Sequence, residues 1–538
     1  MSPKQRFQSR LQRSKYPCIL VVCIYCLTNS LSTTRTLPKN DSRAQTHKSV
    51  HYSADTSLLL NEVLQPSSAD STSTSTCLSI AVTLCATTKG VASSLSFDNL
   101  AITHILLPSL LRTFEDGYQY AIFVGVDDDD EFYTNASNQE HLRAFSAPYP
   151  MHIHSFPSKE SRIPFNEILD VAFRSGSDYI VRINDDTEFI SENWTSKGIK
   201  TLLNHAPVNV GVVGPRVVEK PNIKNTILTH DMVHRTHQKI FSYYYSPGFD
   251  NQLIDDWITL VYSPDRVSWI QDWVVDHHIS HHGTRYDIKH DMQLLDEEVK
   301  KGLEMVEHWQ KRSVAEANGW VVLVSVSDGS DEDMFRNWWH WYSKLKLRLQ
   351  VFVIAKDLHA YEKYRSKTGV TTYLVPHALT SRAADILFLL ERHDRVLYAD
   401  LDTVWLRDPM PFLIDDFDLA GGLIARRNNI TYYSTGFLAV RNSSASRKML
   451  SDWHHRYNVL TGRPRSDEHI MNEELLNQGE KLTHVSLPCA HFPTGEQYDK
   501  HKHPDQVFLV VDNVRQSSRS NEVNQAKQLK ERGLWVDK

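Results

Sequence analysis

The stretch VLYADLDTVWLRDPMPFL, residues 396–413, decides the fold of the C-terminal half of the chain. It opens on a short apolar run, and Asp400 and Asp402 follow directly. Residues i and i+2 of an extended chain point to the same side, so both carboxylates are expected to face one small volume. They would emerge at the carboxyl end of a strand, where open α/β sheets bind their ligands. Two oxygen donors there suit Mn²⁺ or Mg²⁺.

Apolar runs of strand length alternate with helical patterns on both sides of this stretch. In the C-terminal half the runs are WVVLVSVS, QVFVIA, TTYLVP and RVLYA. In the N-terminal half they are LSIAVTL, YAIFVGV, MHIHSF, YIVRI and VGVVGP. The charged helical segment DEEVKKGLEMVEHWQKR closes the first half. This alternation predicts an α/β protein with two Rossmann-type domains in tandem, each a mostly parallel sheet covered by helices.

The 538 residues exceed what one hydrophobic core usually supports. A basic flank precedes the apolar run YPCILVVCIYCL, which is shorter than the roughly 20 residues of a membrane-spanning helix. A signal peptide and a brief signal anchor both fit this run, and a buried helix in a leader is the third alternative. The predicted segments are this targeting segment (1–31), a Ser/Thr-rich stem (32–77) and two folded domains (78–310 and 318–538).

Composition narrows the class of protein only slightly. Apolar residues make up 41% of the chain, aromatic residues 10%, and the net charge is −6, which gives no indication of nucleic-acid binding. Three of the six cysteines lie in the apolar run, which leaves Cys77, Cys85 and Cys489 for the folded body. One disulfide among these three is compatible with the sequence, and a disulfide framework is not.

The context of Asp400 and Asp402 resembles the D-x-D-x-x-W-L-R-x-P segment of the nucleotide-diphospho-sugar transferase family, glycosyltransferase family 77. The resemblance extends upstream to TSRAADILFLL (380–390), where Arg382 matches a basic residue that opens the family's helix. It extends downstream to STGFLAVRNS (434–443), similar to the family's T-G-F strand, and to DEHIMNEEL (467–475). In all it covers roughly Trp320 to the C-terminus.

This resemblance implies a set of site residues in the C-terminal half. Asp400 and Asp402 would bind a metal diphosphate, and Arg382 would face the phosphates. Thr435, Gly436 and Asp467 would line the donor-sugar pocket. The plainer alternatives are a surface charge for Arg382, strand entry for Thr435 and Gly436, and a helix N-cap for Asp467.

The chain departs from the family near its C-terminal end. The family places a histidine there as a further metal ligand, whereas this sequence offers Asp512 and Asn513. Asp512 is expected to replace the imidazole, because a carboxylate also binds hard cations. The family resemblance implies retention of anomeric configuration, with donor positioning and neutralisation of leaving-group charge as the main requirements.

A second acidic cluster follows the strand YIVRI, at Asn184-Asp185-Asp186-Thr187-Glu188. The i, i+2 geometry allows Asn184 with Asp186, or Asp186 with Glu188, and does not choose between them. Its surroundings resemble GT-A-fold glycosyltransferases broadly. That resemblance implies that Asp185 and Asp186 bind the metal, and that Arg162, Asn166 and Arg182 lie near the nucleotide. A polar turn without chemistry is the alternative.

Two further segments of the N-terminal half carry candidate chemistry. In IDDWITLVY, Asp255 or Asp256 is a candidate base for deprotonating an acceptor hydroxyl, and Asp256 is the preferred one. The histidines 277, 278, 281 and 282 repeat at i, i+4, so on a helix each pair could hold one metal ion. His282 is the candidate third ligand of the nucleotide-bound metal, and a solvated turn is the alternative. The acidic turn at residues 127–131 is predicted to be a loop without chemistry.

These features together predict a glycosyltransferase that uses a nucleotide-sugar donor, Mn²⁺ or Mg²⁺, and a glycan, glycoprotein or glycolipid acceptor. The expected location is the Golgi membrane, as a single-pass type II protein with luminal domains, and secretion is the alternative. Two other classes remain open at the level of sequence. They are a carbohydrate-binding protein that keeps the folds without turnover, and a zinc hydrolase built around residues 277–282.

Overall fold

Two mixed sheets with helices on their faces organise the computed structural model of the chain. The described residues are 78–89, 96–159, 162–219, 225–249, 252–279, 291–317, 319–327, 331–375, 381–427, 430–459, 467–511 and 520–536. The targeting segment and the stem therefore lie outside the described residues. Among the described residues, no helix combines the length and the apolarity that a membrane span requires.

The strands follow the predicted apolar runs, with additions in the second half of each sheet. In chain order the strands are β1 Ser79–Cys85, β2 Gln119–Asp127, β3 Met151–Phe156, β4 Tyr179–Arg182, β5 Thr187–Phe189, β6 Val212–Val217, β7 Asp231–His234, β8 Val267–His277, β9 Trp320–Val326, β10 Gln350–Ala355, β11 Val370–Leu374, β12 Arg395–Ala399, β13 Thr403–Trp405, β14 Leu419–Arg427, β15 Ile430–Arg441, β16 His484–Leu487 and β17 Leu509–Val511.

Helices connect these strands and cover the sheets. In chain order they are α1 Leu107–Arg112, α2 Glu131–Thr134, α3 Ala136–Ser146, α4 Phe165–Arg174, α5 Trp194–Leu203, α6 Thr236–Phe241, α7 Ile254–Tyr262, α8 Met292–Ala317, α9 Asp331–Lys344, α10 Leu358–Tyr364, α11 Arg382–Leu390, α12 Ser444–Val459, α13 Asp467–Gln478, α14 Gly495–Asp499 and α15 Ser520–Glu531. A π-helical turn, Ile102–Leu106, leads into α1.

The two sheets share one strand order over seven strands, and the first sheet has an eighth strand at its edge. The first sheet runs β3-β2-β1-β4-β7-β6-β8-β5, and the second runs β11-β10-β9-β12-β15-β14-β16. In both, the fourth strand pairs in parallel with the third and antiparallel with the fifth. The central parallel strands β1, β2, β9 and β10 are largely apolar and buried, as expected for strands covered by helices on both faces of a sheet. The expectation of α/β architecture with mostly parallel sheets is confirmed at this level.

Polar contacts and one shared apolar cluster join the parts of the chain that carry the two sheets. The cluster includes Val82 of β1 and Val322 of β9. Tyr118 stacks on His503 with ring centroids 4.9 Å apart, and its hydroxyl lies 3.2 Å from Oε1 of Gln506. The ammonium of Lys239 lies 2.5 Å from Asp415. Both sheets therefore belong to one compact unit of the chain.

One predicted local structure is wrong. His277 is the last residue of strand β8, and His278 continues beyond it. The i, i+4 spacing therefore does not bring His277 onto a helix face with its partner. His281 and His282 lie outside the described residues. The physical reason is that β8 pairs with β5 and β6, and this tertiary pairing outweighs the local helical spacing.

Candidate functional site

The carboxyl end of β12 holds a charged cluster built on Arg382. Its guanidinium donates to Asp400 from Nε, at 3.1 Å from Oδ1, and from Nη2, at 2.8 Å from Oδ2. It also donates from Nη1 to Asp467, at 2.9 Å from Oδ2. Arg382 is the first residue of α11, and Asp467 is the first residue of α13. Three of the predicted residues thus meet at one point, contributed by three elements.

Neighbouring side chains fix both carboxylates. Tyr398 donates its hydroxyl to Oδ1 of Asp400 at 2.7 Å, and Trp453 donates its indole N–H to Oδ1 of Asp467 at 2.7 Å. Tyr398 and Trp453 are buried. Buried donors of this kind restrict the rotamers of the carboxylates that accept from them. The cluster is therefore preorganised around Arg382.

Asp402 has a different partner from Asp400. The chain is not extended between them, because the backbone N–H of Thr403 donates to the carbonyl of Asp400 at 3.1 Å. Asp402 is 7% exposed, and its Oδ2 accepts from Nε2 of Gln525 in α15 at 3.0 Å. The expectation that both carboxylates point the same way along an extended strand is therefore wrong, since β12 ends at Ala399. A turn separates the two aspartates and sends them to different neighbours.

Thr435 and Gly436 lie in strand β15, beside the charged cluster. The backbone N–H of Thr435 lies 3.4 Å from Oε2 of Glu468, the residue next to Asp467. The carbonyl of Gly436 accepts from the backbone N–H of Asp400 at 2.8 Å. The structure thus brings the predicted donor-pocket residues to the same edge of the second sheet. On the side of Thr435 and Gly436 these contacts use backbone atoms, so they fix where the two residues lie and do not depend on their side chains.

Three residues at this edge escaped the sequence analysis. Lys356 follows β10 and contacts both oxygens of Asp385, at 2.5 and 2.6 Å from its Nζ. Ser325, in β9, donates to Oδ2 of Asp385 at 2.6 Å. Burial raises the pKa of the Asp385 carboxyl, against the opposing effect of Lys356. Asp385 lies three residues after Arg382 in the first turn of α11, and that spacing was the available signal.

The fit of a divalent ion rests on the carboxylates at this edge. Asp400 and Asp402 provide the hard oxygen donors that Mg²⁺ and Mn²⁺ prefer. Asp400 is bound by a guanidinium, and Oδ2 of Asp402 accepts from a neutral amide. Asp512 lies outside the described residues. Within the described part of the chain, no group of three His, Cys, Asp or Glu side chains is placed to hold a metal ion.

A second candidate site lies at the carboxyl edge of the first sheet. It is a cleft of about 180 Å³. Four strands contribute to it, since residues at the ends of β1, β2 and β4 and the last residue of β8 face it. The lining residues are Cys85, Ala86, Thr87, Asp127, Ile163, Pro164, Phe165, Asn184, Asp185, Asp186, His277 and Ile279. The predicted pair Asp185 and Asp186 therefore faces this cleft.

His277 is the histidine that reaches the acidic cluster of the cleft. Its Nε2 lies 3.1 Å from Oδ1 of Asp186 and 3.2 Å from Nδ2 of Asn184. Its ring meets the ring of buried His230 edge to face, with centroids 5.1 Å apart. Burial lowers the pKa of His230 well below its usual range, with further lowering by His277 and Arg182. His282, the predicted ligand, lies outside the described residues.

Arg182 lies beneath the cleft rather than in it. It is 4% exposed and is bound to Asp255, with Nη2 at 3.0 Å from Oδ1. Its guanidinium stacks on Phe165 at 4.5 Å. Burial raises the pKa of neighbouring Asp231 to about 6, although Arg182 and two tyrosine hydroxyls oppose this rise. Arg182 therefore supports the cleft through Phe165, which lines it.

The other predicted residues of this half also make structural contacts. Arg162 forms an ion pair with Glu167 of α4. Asn166 exchanges hydrogen bonds with the backbone of Tyr245, donating at 3.0 Å and accepting at 2.8 Å. Asp256 lies in the first turn of α7 and is not among the residues that line the cleft. Asn166 thus fixes a loop, and neither it nor Asp256 faces the cleft.

The acidic turn at residues 127–131, predicted to have no chemistry, contributes to the cleft wall. Asp127 ends β2, lines the cleft and binds Nζ of Lys89 at 2.9 Å. Asp130 accepts from the backbone N–H of Thr88 at 2.6 Å and from the hydroxyl of Thr87 at 3.1 Å. Asp130 therefore holds the chain that follows β1 against this wall. The run of four aspartates could have indicated this role in the sequence, because it follows a strand, and the carboxyl ends of strands are where α/β sheets bind ligands.

Comparison with known proteins supports the assignment of the C-terminal part. Residues 343–525 match the nucleotide-diphospho-sugar transferase family. Two proteins of Arabidopsis thaliana are similar: UDP-D-xylose:L-fucose alpha-1,3-D-xylosyltransferase 3, 23% identical, and UDP-D-xylose:L-fucose alpha-1,3-D-xylosyltransferase MGP4, 25% identical. Each alignment covers 36% of this chain, and 61% and 65% of the respective relative. The chain thus spans somewhat less than two thirds of these relatives.

Among solved structures, the glycosyltransferase GlyE of Streptococcus pneumoniae TIGR4 is similar to part of this chain. The similarity has a TM-score of 0.28 and 14% identity, and it covers 40% of this chain and 65% of that one. The family prediction made from the motifs around Asp400 is confirmed by the sequence comparison, since residues 343–525 match the model of the nucleotide-diphospho-sugar transferase family.

Proposed function

We propose that this protein is a glycosyltransferase, and that its C-terminal part moves a sugar from a nucleotide diphosphate donor to a glycan, protein or lipid acceptor. The family match over residues 343–525 is the observation that carries the proposal. The cluster of Arg382, Asp400 and Asp467 supports it, because it puts cationic and anionic groups at the edge of the sheet where α/β proteins bind ligands.

The residues of this edge have distinct roles in the proposal. Asp402 and Asp400 hold Mn²⁺ or Mg²⁺, with Asp512 as a further ligand. When bound, the ion neutralises charge on the departing nucleotide diphosphate. Arg382 keeps Asp400 in place and offers a cationic surface to the phosphates. Asp467 is held by Arg382 and Trp453, and its role in the proposal is to accept a hydrogen bond from a hydroxyl of the donor sugar.

The similar proteins guide the choice of donor and acceptor. Their names specify UDP-D-xylose as donor and L-fucose as acceptor. We therefore propose a UDP-pentose or UDP-hexose as donor, and a deoxyhexose-containing glycan as the first acceptor to try.

The N-terminal cleft is proposed as a second nucleotide-sugar site of a GT-A-like domain. The support is its position at the carboxyl edge of a sheet whose strand order matches the second sheet. Asp185, Asp186 and His277 are the proposed metal ligands there, with His282 as a further candidate. Asp256 remains the proposed base, and it would need to approach the cleft on ligand binding.

The proposed location is the secretory lumen, with the protein anchored in the Golgi membrane as a type II protein. Cys489 is disulfide-bonded, while Cys85 is a free thiol. Structural disulfides persist in oxidising compartments such as the secretory pathway. The basic flank and the apolar run before residue 32 support entry into that pathway.

A carbohydrate-binding protein without turnover is the second candidate function. One observation favours it, because the guanidinium of Arg382 already occupies both oxygens of Asp400. In this alternative the cluster would bind a sugar or nucleotide through hydrogen bonds without transferring it.

Nucleotide release separates the two functions. Purified protein with Mn²⁺ would be offered a panel of UDP- and GDP-sugars, and release would be compared with the variants Asp402→Ala and Asp186→Ala. Asp416→Ala is the matched control, since the Asp416 side chain is 93% exposed. The proposal predicts release that Asp402→Ala abolishes and Asp416→Ala preserves. Release that survives Asp186→Ala would assign catalysis to the C-terminal part alone. Absence of release with every donor would leave the binding protein as the function.

A further inference from the structure

The last helix of the described chain reaches back to the turn that carries Asp402. Gln525 lies in α15 and donates from Nε2 to Oδ2 of Asp402 at 3.0 Å, across 123 positions of sequence. Asp402 is 7% exposed, so its carboxylate is largely shielded from water. A hydrogen bond to a shielded carboxylate stabilises the charged form and selects one rotamer.

The helix is held firmly enough to act through this contact. Leu529 is fully buried in a cluster with Val404 and Val510, four positions after Gln525 on the same helix face. Val404 itself follows Asp402 by two positions. One face of α15 therefore makes both contacts: Leu529 packs in the cluster that contains Val404, and Gln525 binds Asp402.

The residues after α15 fasten its end to the body. The carbonyl of Leu534 accepts from the indole N–H of Trp341 at 2.9 Å and from Nδ2 of Asn337 at 3.2 Å. Arg532 binds both oxygens of Asp499, at 2.6 and 2.7 Å. Contacts with α9 and α14 therefore fix the end of α15 and, with it, the position of Gln525.

We propose that Gln525 is a positioning residue for Asp402, and that α15 completes the metal site of the C-terminal part by orienting this carboxylate toward the divalent ion. The inference rests on the proposed function. Gln525 is neutral, so it restrains Asp402 without cancelling the negative charge that a cation requires. A lysine at this position would keep a hydrogen-bond donor, but its positive charge would neutralise Asp402 and compete with the ion.

Metal binding tests the inference without requiring turnover. Free Mn²⁺ would be measured by electron paramagnetic resonance while the full chain is titrated in the presence of UDP, together with the melting temperature without metal. Gln525→Ala is expected to raise the half-saturating Mn²⁺ concentration about tenfold, the effect of losing one hydrogen bond to a charged group. Gln525→Lys is expected to keep the metal-free melting temperature and to lose Mn²⁺ binding.

The exposed neighbour Lys527 provides the control. Lys527→Ala lies on the same helix, and its pairing with Glu531, at 3.8 Å, is exposed to solvent. It should bind Mn²⁺ as the wild type does. Wild-type Mn²⁺ affinity in both Gln525→Ala and Gln525→Lys, with nucleotide release still dependent on Asp402, would overturn this inference alone. If Asp402→Ala releases nucleotide as fast as the wild type does, the proposed function is wrong, and this inference is wrong with it.

Discussion

The guanidinium of Arg382 binds the carboxylate of Asp400 through two parallel hydrogen bonds, 3.1 Å long from Nε and 2.8 Å long from Nη2. Its third donor, Nη1, reaches Asp467 at 2.9 Å. The planar guanidinium is what allows one side chain to orient two carboxylates from different elements. The orientation of the Asp400 and Asp467 carboxylates therefore depends on the planar guanidinium of an arginine, and a positive charge alone would not provide it.

Arg382→Lys should lower nucleotide release by about tenfold or more. An ammonium keeps the charge but has no fork, and each hydrogen bond lost between charged groups costs about 1.5–3 kcal/mol. Initial rates of release with the best donor would measure the effect. Arg392→Lys is the matched control, because Arg392 pairs with Glu391 at an exposed position. Equal rates for the two variants would contradict an orienting role for Arg382.

The buried Asp231 should make stability fall as pH rises. Burial raises its folded pKa to about 6, from an ordinary value of 3.8. Between these values the folded protein keeps a proton that the unfolded chain has released, so the free energy of unfolding decreases as pH rises from about 4 to about 6. The contribution is on the order of 3 kcal/mol.

Comparison with Asp231→Asn isolates this contribution. Tyr244 and Tyr245 both donate to Asp231 at 2.5 Å, and an asparagine keeps an acceptor for one of them. The stability difference, wild type minus variant, should decrease between pH 4 and pH 6 and stay constant above. Urea denaturation at several pH values would measure it. A difference that is the same at pH 4 and pH 7 would show that Asp231 does not titrate in this window.

His237 should have the opposite effect over a similar range. Its Nε2 lies 2.6 Å from the carbonyl of Tyr244, and its Nδ1 lies 2.9 Å from the hydroxyl of Tyr262, which satisfies both nitrogens of a neutral ring. Burial lowers its pKa from 6.5 to about 4. The unfolded chain therefore binds a proton first, and stability is lost as pH falls from about 6.5 toward 4.

His237→Gln removes the titration and keeps a donor toward Tyr244. The variant should be less stable than the wild type at pH 7, and the gap should narrow as pH falls to 4, because only the wild type loses stability from this group. Melting temperatures at pH 4, 5, 6 and 7 would reveal the narrowing. A gap that widens on acidification would mean that the folded protein stabilises the protonated ring.

Much of the fold could be predicted because its central strands are buried on both faces. Runs such as WVVLVSVS become β9, and YAIFVGV lies within β2, since helices cover both sides of these strands. Strand β8 was missed because it carries Gln271, Asp272 and Asp276 among its apolar residues. Its pairing with β5 and β6 is a tertiary fact that local pattern does not contain.

The residues of the candidate sites likewise fall into two groups: those that a local motif predicted and those that it did not. Arg382, Asp400 and Asp467 lie in recognisable motifs, and the structure brings them together. Gln525 and Lys356 meet their partners only through the folding of distant segments, and neither stands in a distinctive pattern. Arg182 and Asn166 were expected near a nucleotide. Arg182 is buried against Asp255, because a buried strand-end arginine requires a carboxylate partner, and Asn166 binds the backbone of Tyr245.

Gly214 is a point where packing of the first sheet controls the N-terminal cleft. A Cβ atom at this position would lie 2.3 Å from the carbonyl oxygen of His230 and 2.7 Å from Cδ2 of Leu228. The backbone carbonyl cannot move away without moving His230. That histidine holds Thr187, with Nε2 2.7 Å from the hydroxyl, and meets the ring of His277.

Gly214→Ala should therefore lower the free energy of unfolding by about 1–3 kcal/mol, the usual cost of overpacking a core, and displace His277 from Asp186. Gly319→Ala is the matched control, because a Cβ there meets only the flexible side chain of Arg395 at 3.5 Å or more. Melting temperature measures the first effect, and the histidine resonances of His230 and His277 report the second. If Gly214→Ala is as stable as Gly319→Ala and leaves both resonances in place, β6 and β7 do not pack as closely as the contact between Gly214 and His230 requires.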